Sequence, residues 1–404
     1  MIDVTVGDNN ARERSGLRTL ILISAAHWVS HYYILVLPML FPFLKTTLGV
    51  GYIELGFSLT VFAVVTGLTQ APVGYLVDRV GARKILIAGL CLGGFSLILL
   101  GLTLNYTWLL VCAVLLGIGN SVYHPSDYAL LAANMDEGRM GRAFSVHTFA
   151  GYLGAAVAPA IVGALVATVG GIGALMVSGV IGLAVGLVLL VLPVPEASAA
   201  HHAQPDGSAA KVNIVTPMVI VLTVFFTLLG LSTSGISSFG VVALMSGYNE
   251  PFAIANLALT AFLGAAAVGV LAGGFLADRT SRHEQVAAVF FAINALIVAA
   301  VAVTSPGPVV MVVALTVAGF LSGVIAPSRD MMVRNAAPPG AAGRVFGIVS
   351  TGFNIGGIIS PLLFGWLMDH SMPRWVFGGS AVFMLLTVLL TVATDRRGAK
   401  AAGS

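Results

Sequence analysis

Apolar runs long enough to cross a bilayer alternate with short polar breaks along almost the whole chain. About 20 consecutive apolar residues suffice for one crossing. The pattern predicts six such helices at roughly 18–44, 50–77, 84–105, 107–133, 142–168 and 171–194. The stretch PEASAAHHAQPDGSAAKVN (195–213) then breaks the pattern with Pro, Ala, Ser and His, and reads as a flexible linker. Six more helices are predicted at roughly 214–246, 251–277, 284–304, 308–333, 344–369 and 374–394. The expected architecture is an all-α membrane protein with twelve transmembrane helices. Residues 1–194 form an N-terminal six-helix bundle, 195–213 a cytoplasmic linker and 214–404 a C-terminal six-helix bundle. Around Gly171 no polar residue separates two neighbouring runs, so the division there is ambiguous.

Composition supports the same class. Only 9% of the 404 residues are charged, against about 25% in soluble domains. The net charge of +3 gives no sign of a nucleic-acid partner, because the basic residues sit between the apolar runs. An even number of crossings puts both ends on one side. All of the 19 Lys and Arg except Lys45, Arg329 and Arg374 fall on that side, which the positive-inside rule makes cytoplasmic. The polar start MIDVTVGDNNARERSG is not a cleavable signal peptide. Cys91 and Cys112 fall early in successive antiparallel helices, hence at opposite depths, and are expected to be free thiols. No enzyme constellation and no haem or Cys-rich metal motif is visible, and no cofactor is expected. The absence of GxxxxGK[ST] removes ATP as the energy source.

The two halves repeat each other. GYLVDRVGARK (74–84) recurs as GFLADRTSRHE (274–284). At an offset of 202, Pro125, Ser126, Gly141, Arg142, Phe144, Gly154, Pro159 and Gly163 overlie Pro327, Ser328, Gly343, Arg344, Phe346, Gly356, Pro361 and Gly365. Six-helix units repeated in the same orientation describe the two halves of a major facilitator transporter. Gly74-x-x-x-Asp78-Arg79-x-Gly81-x-Arg83-Lys84 resembles that superfamily's signature loop after its second helix. The second copy keeps Gly274, Asp278 and Arg279, but Ser281 replaces its second Gly. The glycines suit close helix approach and a tight turn. Asp78 suits helix N-terminal amides or an Arg partner. The resemblance implies that Gly74, Asp78, Arg79, Gly81, Arg83, Asp278 and Arg279 latch the two halves on the cytoplasmic side. The plainer reading is a basic loop that only sets topology.

GIGNSVYHPSDYALLA (117–132) and RAFSVHTFAGYLGAAVAPAIVG (142–163) are similar to the fosmidomycin-resistance group within the superfamily. Ser121, His124, Pro125, Gly154 and Pro159 carry that likeness, with Gly117 or Gly119 before them. The group's first helix often reads H-x-x-N-D. Here His27 matches, while Ser30 and His31 stand in place of the Asn and Asp. The departure removes the group's acidic proton carrier.

A set of ionisable residues lies within the predicted helices. His27 and His31 are four apart on helix one, His124 and Asp127 three apart on helix four, and His147 lies two turns into helix five. Residues three or four apart share a helix face. Intramembrane ionisable groups are costly and mark proton, ion or substrate paths, and His titrates in the physiological range. His31 and the His124–Asp127 pair are read as proton-coupling groups, and His27 and His147 equally as such groups or as packing residues. Three or four imidazoles and a carboxylate also suit a transition metal if they converge, but no metal ligand is assigned. Under the repeat, Asp127 overlies Arg329, so the two are candidates for an inner gate. Tyr32, Tyr33 and Asn354 complete the candidate cavity. LSTSGISSFG (231–240) concentrates hydroxyls around Gly235 as a weaker cavity candidate, the plainer reading being that they bond back to their own helix.

The resulting expectation is a secondary active transporter, monomeric, in the bacterial inner membrane. It moves a small organic solute by alternating access, as proton-coupled efflux. Organic-anion uptake anchored by Arg329 and transition-metal transport through the His cluster are the alternatives, and a sensor with a retired transporter fold is a different class.

Overall fold

The computed structural model describes residues 3–192, 194–196, 214–338 and 341–402. The described residues are almost wholly helical and contain no strand. The helices are α1 (Asp3–Met39), α2 (Phe41–Leu48), α3 (Tyr52–Val80), α4 (Ala82–Thr103), α5 (Tyr106–Ser121), α6 (Tyr123–Asn134) and α7 (Glu137–Val191). After the linker follow α8 (Pro217–Tyr248), α9 (Phe252–Ala277), α10 (His283–Val303), α11 (Pro308–Ala336), α12 (Ala342–Asp369) and α13 (Trp375–Ala402). Most of the linker predicted at 195–213 lies outside the described residues.

Eleven of these stretches are apolar and long enough to cross a membrane. One of them, Arg139–Val191, has 53 residues, about 80 Å at 1.5 Å per residue, which is far more than a hydrocarbon core of about 30 Å. Gly170 resolves the excess. Its φ of 72° and ψ of 177° are non-helical, so α7 is two crossings joined without a loop. The chain is a multi-pass membrane protein with twelve crossings, as expected. The ambiguity at Gly171 arises because a single glycine makes a turn for which the sequence supplies no polar residues.

Two predicted helices are each divided in two. Pro42 lacks the N–H that would bond the Pro38 carbonyl, and the chain breaks at Leu40 before α2 begins. Pro125 withholds its bond from Ser121 in the same way, and α5 ends at Ser121. The short helix α6 therefore carries His124 and Asp127 at a slight break from α5.

The chain forms two compact units. The first takes α1 up to Leu37 and the chain from Val61 through α7; the second takes Pro38–Thr60 and the chain from α8 onward. The segment 38–60, placed by the sequence in the N-terminal bundle, thus packs in the second unit. There Gly269 and Gly273 of α9 meet backbone at Phe320 and Val324, while Gly319 and Gly323 of α11 meet Phe262 and Ala266. Paired small residues at i and i+4 bring these two helices into backbone contact, the small-xxx-small device of membrane interfaces. In α8, Ser232 and Thr233 both bond back to the Leu229 carbonyl.

Candidate functional site

Three helices of the first unit converge on one polar cluster. α1 supplies His27 and His31, α6 supplies Asp127 and His124, and α7 supplies His147. His27 is the hub. Its ring stacks on His147 at 4.0 Å between centroids and 23° between planes, and lies 4.8 Å from His31 and 5.5 Å from His124. His27 Nδ1 and His147 Nε2 each stand 3.5 Å from the same oxygen, Oδ2 of Asp127. His27, Asp127 and His147 are 4%, 0% and 1% exposed. The i, i+3 pair on α6 is divided, with Asp127 facing inward and His124 exposed.

Among the described residues, neither oxygen of Asp127 has a hydrogen-bond partner, nor has His27 Nδ1 nor either nitrogen of His147. Charge-assisted N–H···O bonds run about 2.7–2.9 Å, so the two 3.5 Å approaches are not such bonds. Single buried atoms without a hydrogen-bond partner also occur elsewhere, on Ser360 and Ser380 for example, but here five fall on three converging ionisable residues, an arrangement that suits a proton or a cation.

Space for the cluster comes from Gly151, one turn beyond His147 on α7. A Cβ there would lie 2.7 Å from His27 Nε2 and 2.9 Å from His31 Cδ2. Gly154 similarly seats the Trp28 carbonyl of α1. The sequence reading did not single out Gly151, although its spacing of four from His147 matches that of His31 from His27. Tyr128 was also passed over. It is four residues from His124, its ring lies 5.7 Å from His124 and 6.2 Å from His147, and Phe144 packs edge-on against it.

Other candidates lie elsewhere. The Tyr32 hydroxyl bonds Ser178 at 2.7 Å and that of Tyr33 the Gly179 carbonyl at 3.3 Å. Both rings therefore fill the seam between α1 and the second half of α7 rather than joining the histidines. In the second unit the Arg329 guanidinium bonds Asp330 through Nε at 2.8 Å and lies over Phe226 and Phe353 at 5.0 and 5.2 Å. Asn354 is exposed beside Phe353.

Of the latch residues, Gly81 makes the tight turn, with φ 105°. A Cβ on Gly74 or Gly274 would meet open space, so the close approach expected there is not present in this structure. Asp78, Arg79, Asp278 and Arg279 are exposed at helix ends. Arg83 closes the end of α7, donating to the carbonyls of Leu189, Leu190 and Leu192. Hydrogen bonds to a charged group contribute about 1.5–3 kcal/mol. Arg83→Ala is therefore expected to lower the melting temperature in detergent by several degrees, and Arg83→Lys to restore only part of it, because a point charge lacks the guanidinium's fork. Unfolding curves of the three proteins check this.

Twelve crossings in two repeated six-helix halves, with an ionisable cluster buried among them, are the features of a membrane transporter. The sequence profile of the Major Facilitator Superfamily matches residues 23–252 and 222–403, and the chain belongs to that family. It is 25% identical over 403 residues to the fosmidomycin resistance protein of Escherichia coli K12, covering 96% of each chain. It is also 25% identical over 344 residues to the multidrug efflux pump Tap of Mycobacterium bovis, covering 79% of this chain and 80% of that one. Its fold is that of a bacterial homologue of the human lysosomal transporter Spinster, solved in an inward-facing, occupied conformation. The TM-score is 0.78 at 14% identity, over 93% of this chain and 96% of the other.

Proposed function

We propose that this transporter exports a small organic solute across the bacterial inner membrane in exchange for protons, as a monomer with both termini cytoplasmic. The observation that carries the proton coupling is the buried cluster in which His27 and His147 both approach one Asp127 oxygen at 3.5 Å without hydrogen-bonding it. Ionisable groups inside a membrane protein pair with one another and mark proton or ion paths. This one cluster replaces the acidic residue that the first helix of the fosmidomycin-resistance group often carries. Export is supported by the efflux names of the relatives and by the overall likeness to the resistance protein. Rocking of two repeated bundles supplies alternating access.

The test uses full-length protein in liposomes containing a pH-sensitive dye. Phosphonates, organic acids and amphipathic drugs are offered in turn against an imposed proton gradient. At least one compound is expected to drive proton movement, and His31→Ala to slow it. Transport of a compound with no accompanying proton flux would remove the coupling and leave the transporter class intact.

A further inference from the structure

We propose that His27, Asp127 and His147 bind a divalent transition-metal ion of the zinc, cobalt and nickel class between α1, α6 and α7. This deepens the reading above by naming a ligand chemistry for the same cluster. Its test reads the metal directly, without transport, so the two fail separately.

The geometry supports an ion rather than a hydrogen-bonded triad. Metal–nitrogen and metal–oxygen bonds to zinc are about 2.0–2.2 Å, which sets tetrahedral ligands about 3.4 Å apart. Both imidazole nitrogens stand 3.5 Å from Asp127 Oδ2, and the three ligand atoms all lie within 4.8 Å of one another. The two separations to Asp127 are too long for strong hydrogen bonds and close to the edge of a coordination tetrahedron, while the trio as a whole spans up to 4.8 Å with its two rings stacked, so a bound ion would draw the imidazoles together. Two imidazoles and a carboxylate are the donor set that suits these ions rather than calcium or magnesium, which take oxygen ligands. His31 and His124 flank the trio as candidates for the fourth position, with His124 at the exposed edge of the cluster.

The surrounding shell argues for an exchangeable ion. His147 Nδ1 has no hydrogen-bond acceptor among the described residues. Such outer partners are worth about 10–100-fold in metal affinity, and without one a permanent structural site is not expected. A bound ion would occupy the atoms that receive protons, so zinc is expected to inhibit proton-coupled transport.

The experiment titrates cobalt(II) into purified full-length protein in detergent and records visible absorption. Tetrahedral cobalt absorbs far more strongly than the hexa-aquo ion. One saturable equivalent per chain is expected, displaced by zinc. Asp127→Asn and His147→Gln are expected to weaken it by at least about 10–100-fold, the scale set by loss of a mere outer-shell partner. His147→Cys is expected to keep the ion and add a sulfur-to-cobalt charge-transfer band, which a purely structural histidine would not give. This variant decides the matter if Asp127→Asn fails to fold. His201→Ala with His202→Ala removes the adjacent linker histidines and is expected to leave the spectrum unchanged. The absence of a saturable band in wild type, its loss in the linker variant, or a His147→Cys protein without the new band would overturn the site.

Discussion

Gly151→Leu is expected to abolish both transport and metal binding while leaving every ionisable residue in place. Even a methyl at this position would come within 3 Å of atoms of His27 and His31. A leucine has no room unless α1 and α7 separate. Overpacking costs about 1–3 kcal/mol, occasionally more, and here it must also break the stacking of His27 on His147 at 4.0 Å. Gly151→Ala is the graded version. It gains about 1 kcal/mol of helix propensity against that overpacking cost, so its stability changes little while its metal affinity falls. Gly141 of the same helix is the control, because a Cβ there meets nothing within 4 Å. Gly141→Ala is expected to be neutral or to stabilise by about 0.4–1 kcal/mol. Melting curves and cobalt titrations on the three variants separate the outcomes. A Gly151→Leu protein that folds and binds cobalt like wild type would show that the cluster does not depend on this seat.

The crossings and the repeat were legible because bilayer length and residue identity are one-dimensional signals. The same holds for His27, His31 and His147, since ionisable residues stand out in apolar runs. Their convergence was not legible. It depends on which faces of α1, α6 and α7 meet, and that is set by glycines whose contribution is the absence of a side chain. Gly151 looks in sequence like any of the other small residues of helix five. The roles within the cluster were blurred for the same reason. His27, equally readable as a packing residue, is the geometric hub, and His124, with its ring 5.5 Å from that of His27, stands at the exposed edge of the cluster. Tyr32 and Tyr33 were candidates for their rings and hydroxyls, and where those hydroxyls go, to Ser178 and Gly179, depends on helix packing that the sequence does not display.

The segment 38–60, which packs in the second unit, yields the second large expected effect. Asp369, the last residue of α12, accepts from the backbone N–H groups of Tyr52 and Ile53 at 2.8 Å each. A carboxylate there satisfies two open donors at the start of α3 and favours that end of its dipole. Lys45 adds a 3.7 Å ion pair that is partly exposed, worth at most about 1 kcal/mol. Beneath it Gly56 lies against the Pro361 backbone, and Thr60 donates to the Ile358 carbonyl at 2.9 Å. Under the proposed orientation, with both termini cytoplasmic, this seam would face outward, and an alternating-access cycle that opens there would part α3 from α12. Asp369→Ala removes two hydrogen bonds to a charged acceptor, about 1.5–3 kcal/mol each when fully formed. Exposure reduces that, and a net loss of about 1.4 kcal/mol still shifts the open population tenfold. Ser58 is a suitable reporter because it is 0% exposed and bonds within its own helix, to Leu55. In a Ser58→Cys protein lacking Cys91 and Cys112, an impermeant maleimide added outside is expected to label about tenfold faster once Asp369 is alanine. Asp369→Asn, which keeps an acceptor oxygen but not the charge, should fall between. Equal labelling in all three would show that the carboxylate does not hold the seam, and that Gly56 and its apolar neighbours close it unaided.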